Sequence, residues 1–385
     1  MTRSVYRYAS VLAMSLMALA VSASTGREDT SAISDTCRYK EHEVRKTIHH
    51  EFPLSSSSKV KLYNKYGKMN IHTWDKEEIH IDVEIIVNSS SKSNAQLQLD
   101  HIDIQVHYDD VDYIKVATVL TEQDNNWWTN IWGSCKSELV INYDVFVPRT
   151  SSLVAENKYG DTSIEDLEND LSATVKYGNL TTRNVSGDVG LSLGYGKSIM
   201  GNIGNLDAEV RYSEMYIKSA KHINLTSKNS DLTINKAYDL VITSKYDSYQ
   251  LGVIEKLINE GKYDSFKIDS AKSIEIESKY STVMADYLEK SIDAEMSYGQ
   301  IKILNVAPVF ENARIDSKNT DIYLNLDLDF EYEIEGKHVN PKIAGEHNHT
   351  SYEQDGSYIY LEGTRGRNAT ARVEIETKYG SVKID

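Results

Sequence analysis

The stretch Lys245-Tyr246-Asp247-Ser248-Tyr249-Gln250-Leu251-Gly252-Val253-Ile254-Glu255-Lys256-Leu257-Ile258-Asn259-Glu260-Gly261-Lys262-Tyr263-Asp264 begins and ends on the same triplet. The motif recurs along the second half of the chain. Its anchor tyrosine falls at Tyr159, Tyr177, Tyr195, Tyr212, Tyr246, Tyr263, Tyr280 and Tyr298, with Asn229 and Asn319 in the same slot. Tyr66 opens the pattern early and Tyr379 closes it. The usual period is 17 or 18 residues, which is the signature of a repeat architecture.

Counted from the anchor, apolar residues fall at fixed offsets. Three residues after it lie Leu180, Met215, Leu232, Phe266, Val283, Ile301 and Ile322; five after it lie Ile164, Ile217, Ile234, Leu251 and Ile268. Six before it lie Leu171, Leu206, Ile223, Leu240, Leu257 and Ile274. They alternate with polar residues at a spacing of two, the strand period, and no spacing of three and four marks a helix. Each repeat therefore holds two short strands. One repeat cannot bury its own apolar face, but stacked repeats can, each strand pairing in parallel with its equivalent one coil away. The expected fold is all-β: a single-stranded parallel β-helix of about ten coils, roughly 50 Å long at ~4.8 Å per coil. Crossover chirality predicts the right-handed form.

The residue after the anchor is small or turn-forming (Gly160, Gly178, Gly196, Ser213, Ser230, Asp247, Asp264). This places the sharp, positive-φ turn just after each tyrosine. Stacked coils put the tyrosines in a ladder. Alternation through Ile274, Ile276 and Ser278 points the Tyr280 ring inward, so the expectation is a corner ladder that seals the core; the alternative is an exposed aromatic platform. The preceding lysines (158, 176, 228, 245, 262, 279, 318 and 378) line up outside, where a neighbouring acidic row offsets their repulsion.

Two segments break the period and supply covers for the ends, whose open strand edges would otherwise invite stacking. Residues 51–150 read as an N-terminal β cap, with a short helix near Ser93–Leu99 and strands at Ile102–Tyr108, Tyr113–Leu120 and Leu139–Val147. Residues 151–385 form the repeat domain, with an insertion at 328–371 that reads as an antiparallel hairpin from Phe330–Ile334 and Ser357–Leu361.

Residues 1–23 read as a signal peptide: Arg3 and Arg7, an apolar run from Val11 to Val21, and small residues at Val21-Ser22-Ala23. Residues 24–50 then form an N-terminal arm. The expected location is outside the cytoplasm: periplasm, outer-membrane surface or secreted. No later run approaches the ~20 apolar residues a membrane helix needs. The 385-residue chain has 42 basic and 58 acidic residues and a net charge of −16, which argues against nucleic acid as a partner. Cys37 and Cys135 are the only cysteines. In an oxidising compartment they can pair or remain thiols, and both readings stay open.

The stretch Asn64-Lys65-Tyr66-Gly67-Lys68-Met69-Asn70-Ile71, followed by Trp74-Asp75-Lys76, together with Asn157-Lys158-Tyr159-Gly160 after Val147-Pro148, resembles the bacterial putative-adhesin β-strand-repeat family. The resemblance covers nearly all of the mature chain. It implies an exported β-helix protein of the cell envelope of Bacteroidetes-like bacteria, with no catalytic residues to carry over. The aromatic loop Trp127-Trp128-Thr129-Asn130-Ile131-Trp132 falls outside the shared pattern.

No nucleophile elbow, phosphate loop, dinucleotide fingerprint or zinc spacing is present, so no cofactor or metal is expected. His49-His50-Glu51 and His347-Asn348-His349 read as solvated loops. Trp127, Trp128 and Trp132 are the candidate binding residues, for a glycan or a cell-surface protein, against packing of their rings on the first coils. The leading expectation is a monomeric, non-enzymatic adhesin-like or envelope scaffold. The alternatives are a polysaccharide lyase or hydrolase, which needs a groove with paired carboxylates on an aromatic floor, and a self-assembling filament subunit.

Overall fold

The computed structural model describes residues 42–121 and 138–385. The described residues from His42 to Asp385 pack as one unit, a β-solenoid of about ten turns. Strands Lys197–Arg211, Glu214–Lys228, Asp231–Lys245, Ser248–Lys262 and Ser265–Lys279 run in parallel register, each residue over its equivalent 17 positions on. Leu206 pairs with Ile223, then Leu240, Leu257 and Ile274. All are buried. The alternation read in the sequence is thus one continuous apolar column, each member worth about 1.5–3 kcal/mol of burial. A second column, Tyr249 over Phe266, stacks at 4.6 Å and 3°.

Both ends are closed in the same way. The first coil, strands Lys59–Lys65 and Met69–Trp74, does not lie at the end of the rod. It sits between the coil of Ser152–Lys158 and Thr162–Ile164 and an outer coil of Tyr113–Leu120 and Glu138–Pro148, which pairs with it in parallel. At the other end the last coil, Ala371–Gly380 and Val382–Ile384, is wedged between Asn312–Leu324 and the outer strands Phe330–Val339 and Lys342–Ile343. The insertion is therefore partly a coil of its own, beyond which the antiparallel hairpin follows, Ile334 opposite Leu361. The outermost strands, His42–Pro53, Ile102–Asp110 and His347–Asp355, are antiparallel to their neighbours. That reversal, with their exposed polar side chains, stops the parallel register from propagating. The helix Lys92–Asp100, capped by Ser91 Oγ accepting from Asn94 N at 3.2 Å, packs on His42–Pro53 and Glu78–Ser89.

Candidate binding face

The corner geometry departs from the sequence reading. The positive-φ residue is the tyrosine itself: Tyr66, Tyr159, Tyr177, Tyr195, Tyr212, Tyr246, Tyr263, Tyr280, Tyr298 and Tyr379 have φ between 52° and 65°, and Asn229 and Asn319 have φ 51°. The glycines after them are not left-handed. They are small because the next corner lies on them: a Cβ at Gly160 would come 1.8 Å from the Gly67 carbonyl oxygen. A left-handed residue also resets the inside–outside alternation, so counting from Ile274 and Ile276 gives the wrong face. The rings point outward, and from Tyr159 to Tyr379 they are 42–52% exposed. They do not seal the core.

The rings form a stacked exterior ladder. Tyr66, Tyr159, Tyr177, Tyr195 and Tyr212 follow one another at 5.0–5.3 Å with interplanar angles of 5–10°. Tyr246, Tyr263, Tyr280 and Tyr298 continue at 4.7–5.0 Å. Tyr379 and His338 close it at 4.8 Å. Left-handed backbone costs a β-carbon residue about 1–2 kcal/mol; ring stacking offsets this at about 0.5–1.5 kcal/mol per pair.

Beside the rings runs a cationic row, Lys65, Lys158, Lys176, then Arg211, Lys228, Lys245, Lys262 and Lys279, and later Lys318, Lys378 and Lys337, in strand register. Lys158 and Lys245 lie over Tyr159 and Tyr246 at 4.8 and 4.9 Å. The neighbouring acidic row is present over only part of the rod: Glu260, Glu277, Glu295, Asp316, Glu376 and Glu335 are in register, whereas Thr226 and Thr243 hold that row beside Lys228 and Lys245. Between the two rows a groove of about 450 Å³ is lined by Lys228, Lys245, Lys262, Glu260, Glu277 and Glu295, among others, and none of its lining residues is aromatic.

Inside the same corners, Asp247 and Asp264 are buried. Asp264 accepts from Ser244 Oγ at 2.8 Å and Asp247 N at 2.9 Å; Asp247 accepts from Ser227 Oγ at 2.9 Å and Ser230 N at 2.8 Å. Burial pushes both carboxyls up, Asp264 to about 6, against the opposing pull of these hydrogen bonds. A carboxyl raised on folding stabilises the protein when protonated. Its contribution is fully present below the unfolded value of about 4 and is lost as pH rises through about 6. The melting temperature is therefore expected to fall across that window, and Asp264→Asn to flatten the profile there and raise the melting temperature at neutral pH. An unchanged slope in Asp264→Asn, followed by calorimetry, would refute the assignment.

The two histidine groups lie on strands, not in loops, because each belongs to an outermost antiparallel strand, His42–Pro53 on Glu78–Ser89 and His347–Asp355 on Tyr358–Arg365. His49, on His42–Pro53, is held by Asp82 at 2.7 Å and Glu51 at 3.0 Å, and these bonds raise its pKa. His349, on His347–Asp355, contacts the Tyr332 hydroxyl at 2.8 Å. Among the described residues no group of His, Cys, Asp and Glu is arranged to hold a metal ion, and no helix is long and apolar enough to cross a membrane. Residues 1–23, Cys37 and Cys135, and Trp127, Trp128 and Trp132 lie outside the described residues. The sequence reading held the exposed ladder only as the alternative to a core-sealing corner. The available signal was that a β-branched or aliphatic residue never replaces the tyrosine in the repeats; asparagine, tolerant of left-handed backbone, does at Asn229 and Asn319.

No family model matches the chain, and no curated protein matches it. Several solved structures are similar. They include a putative cell adhesion protein from Clostridium sporogenes (11% identity over 89% of this chain and 99% of that one, TM-score 0.19). Two others are from Parabacteroides distasonis: a putative adhesin (11%, 72% and 96%, TM-score 0.31) and a putative lipid binding protein (14%, 72% and 95%, TM-score 0.26). The adhesins among them are of the adhesin-like kind that the repeat motif resembles. Similarity at this level carries no argument about what this chain binds.

Proposed function

We propose that the chain is an exported, non-enzymatic, adhesin-like or envelope scaffold protein that meets its partners through the exposed tyrosine ladder and the lysine row beside it. The observation that carries this reading is the ladder itself, a row of half-exposed rings held outward by left-handed backbone along the side of a rod with closed ends. Tyrosine is among the side chains that dominate contact energies at interfaces, and the lysines beside it supply charge complementarity. A lyase or hydrolase reading finds less support: the groove of Lys228 and Glu260 has no aromatic lining, and in the depression where tyrosines and aspartates meet, beside Tyr246 and Tyr263, Asp247 and Asp264 are buried and held by serine and main-chain hydrogen bonds. Antiparallel outer strands favour a monomer over a filament. Trp127, Trp128 and Trp132 remain proposed as a further contact, and the Cys37–Cys135 bond as a tie between the arm and that loop.

The test uses the mature protein and immobilised envelope fractions. Tyr177→Asn with Tyr263→Asn interrupts the ladder using a residue that already occupies this corner at Asn229 and Asn319 with the same backbone, so folding is preserved. Binding is expected to weaken about fivefold or more. A parallel Trp127→Ala, Trp128→Ala, Trp132→Ala chain reports the loop. Unchanged retention of both variants would remove the proposal.

A further inference from the structure

The ladder has a gap at Asn229. Tyr212 stacks only on Tyr195, and Tyr246 only on Tyr263, among the described residues. The two rings facing the gap are 46% and 47% exposed. They stand two coils apart, about 10 Å at strand spacing, which is twice the 4.7–5.3 Å separating stacked neighbours elsewhere. The opening is the size of one missing six-membered ring. Its floor is Asn229, where a surface depression begins that continues beside Tyr246, Tyr263 and Tyr280, with Asp231, Asp247 and Asp264 in its lining.

We infer that this gap is a binding slot for one carboxylate-bearing sugar ring, a uronic acid unit of a short acidic oligosaccharide. The inference rests on the adhesin-like reading and gives it a ligand class. Two parallel aromatic faces suit the C–H faces of a pyranose. The Asn229 amide has no hydrogen-bond partner among the described side-chain interactions and offers both a donor and an acceptor to ring hydroxyls. Lys228 and Lys245 flank the slot and form no ion pair among the described residues, and the row beside them carries Thr226 and Thr243 instead of acids. They supply a charge-assisted site for the carboxylate. Asp231, on the opposite edge of the ladder, repels that carboxylate and so fixes which way round the ring enters. An aromatic side chain would use the ring faces but leave the amide and both lysines without a role. The net charge of −16 favours a short ligand over a long polyanion. The equivalent gap at Asn319 has Lys318 and Lys378 but also Asp316 and Glu376 in register beside them, so it is the weaker site for an anion.

The test measures binding of a galacturonic acid trisaccharide to the mature protein by calorimetry and by chemical-shift changes. Asn229→Tyr completes the ladder with the residue used in neighbouring coils and is expected to weaken binding about tenfold or more. Lys228→Gln with Lys245→Gln is expected to do the same, and the neutral galactose trisaccharide to bind about tenfold more weakly than the acid. Near-UV circular dichroism verifies that each variant is folded. Equal affinity in Asn229→Tyr and wild type would overturn the slot, as would equal competition by N-acetyltyrosinamide. Absence of trisaccharide binding with envelope retention intact would sink the slot and leave the adhesin reading standing; loss of both would sink both.

Discussion

A Gly178→Ala chain is expected to unfold at a markedly lower temperature and urea concentration than wild type, by about 3 kcal/mol or more. The added Cβ would lie 2.0 Å from the Gly160 carbonyl oxygen and 2.6 Å from its carbon. Both are backbone atoms of the preceding coil, so no side-chain rotation relieves the overlap. Moving that coil is blocked in turn, since Gly160 already packs on Gly67 and Gly196 packs on Gly178 at similar separations. The control is two coils further on. There the corner carries Ser213, and the main chain bonds differently: Asp231 N donates to Ser213 O, whereas in the glycine corner Thr162 N donates to Asn179 O. Ser213→Ala adds nothing to that corner and loses two bonds, the one Ser213 Oγ donates to Arg211 O and the one it accepts from Gly196 N, about 1 kcal/mol each. A Gly178→Ala midpoint no lower than that of Ser213→Ala would contradict the close-contact account.

The second large effect is expected at Phe266. Its ring is 1% exposed and lies flat on Tyr249, with Val283 in the same column on the other side. Parallel stacking holds the column above and below at fixed spacing, so the site cannot collapse around a deletion. Phe266→Ala is expected to cost about 3–5 kcal/mol. It also strips one face of Tyr249, whose hydroxyl bonds Ser227 and reaches Asp247 at 3.3 Å, so the near-UV tyrosine signal is expected to lose intensity along with the melting temperature. Phe266→Leu, which refills much of the volume, is expected to recover about half the loss. A melting temperature for Phe266→Ala within a degree or two of wild type would show that the column is not packed as described.

The face of the molecule proposed for binding depends on one backbone angle repeated along the rod. Left-handed tyrosines turn the rings outward, stacking holds them there, and the register of the strands brings the lysines alongside. Replacement by asparagine leaves the backbone unchanged and removes only a ring. The protein can therefore vary its surface without disturbing its core.

Much of this was legible in the residues. The spacing of two within each repeat, the common period and the aligned apolar offsets identified strands, their parallel partners and the column from Leu206 to Ile274. The segments that break the period were visible as interruptions, but not that Tyr113–Leu120, Glu138–Pro148 and Phe330–Val339 would join the stack as outer coils. The direction of the tyrosine rings was not. Alternation counts positions along an extended chain, and a single left-handed residue shifts the count. The cause of the recurring smallness at Gly160 and Gly178 was hidden for a similar reason: the atoms that exclude a side chain belong to another coil.

The amino-acid order by itself determined the solenoid, because short alternating strands at a regular period can bury their apolar faces only by stacking on copies of themselves. The wedging of the first and last coils between outer ones, the outward ladder and the ring-sized gap at Asn229 were decided only in three dimensions. They arise from contacts between residues far apart in the chain, where main-chain sterics and coil-to-coil spacing act and local pattern carries no information.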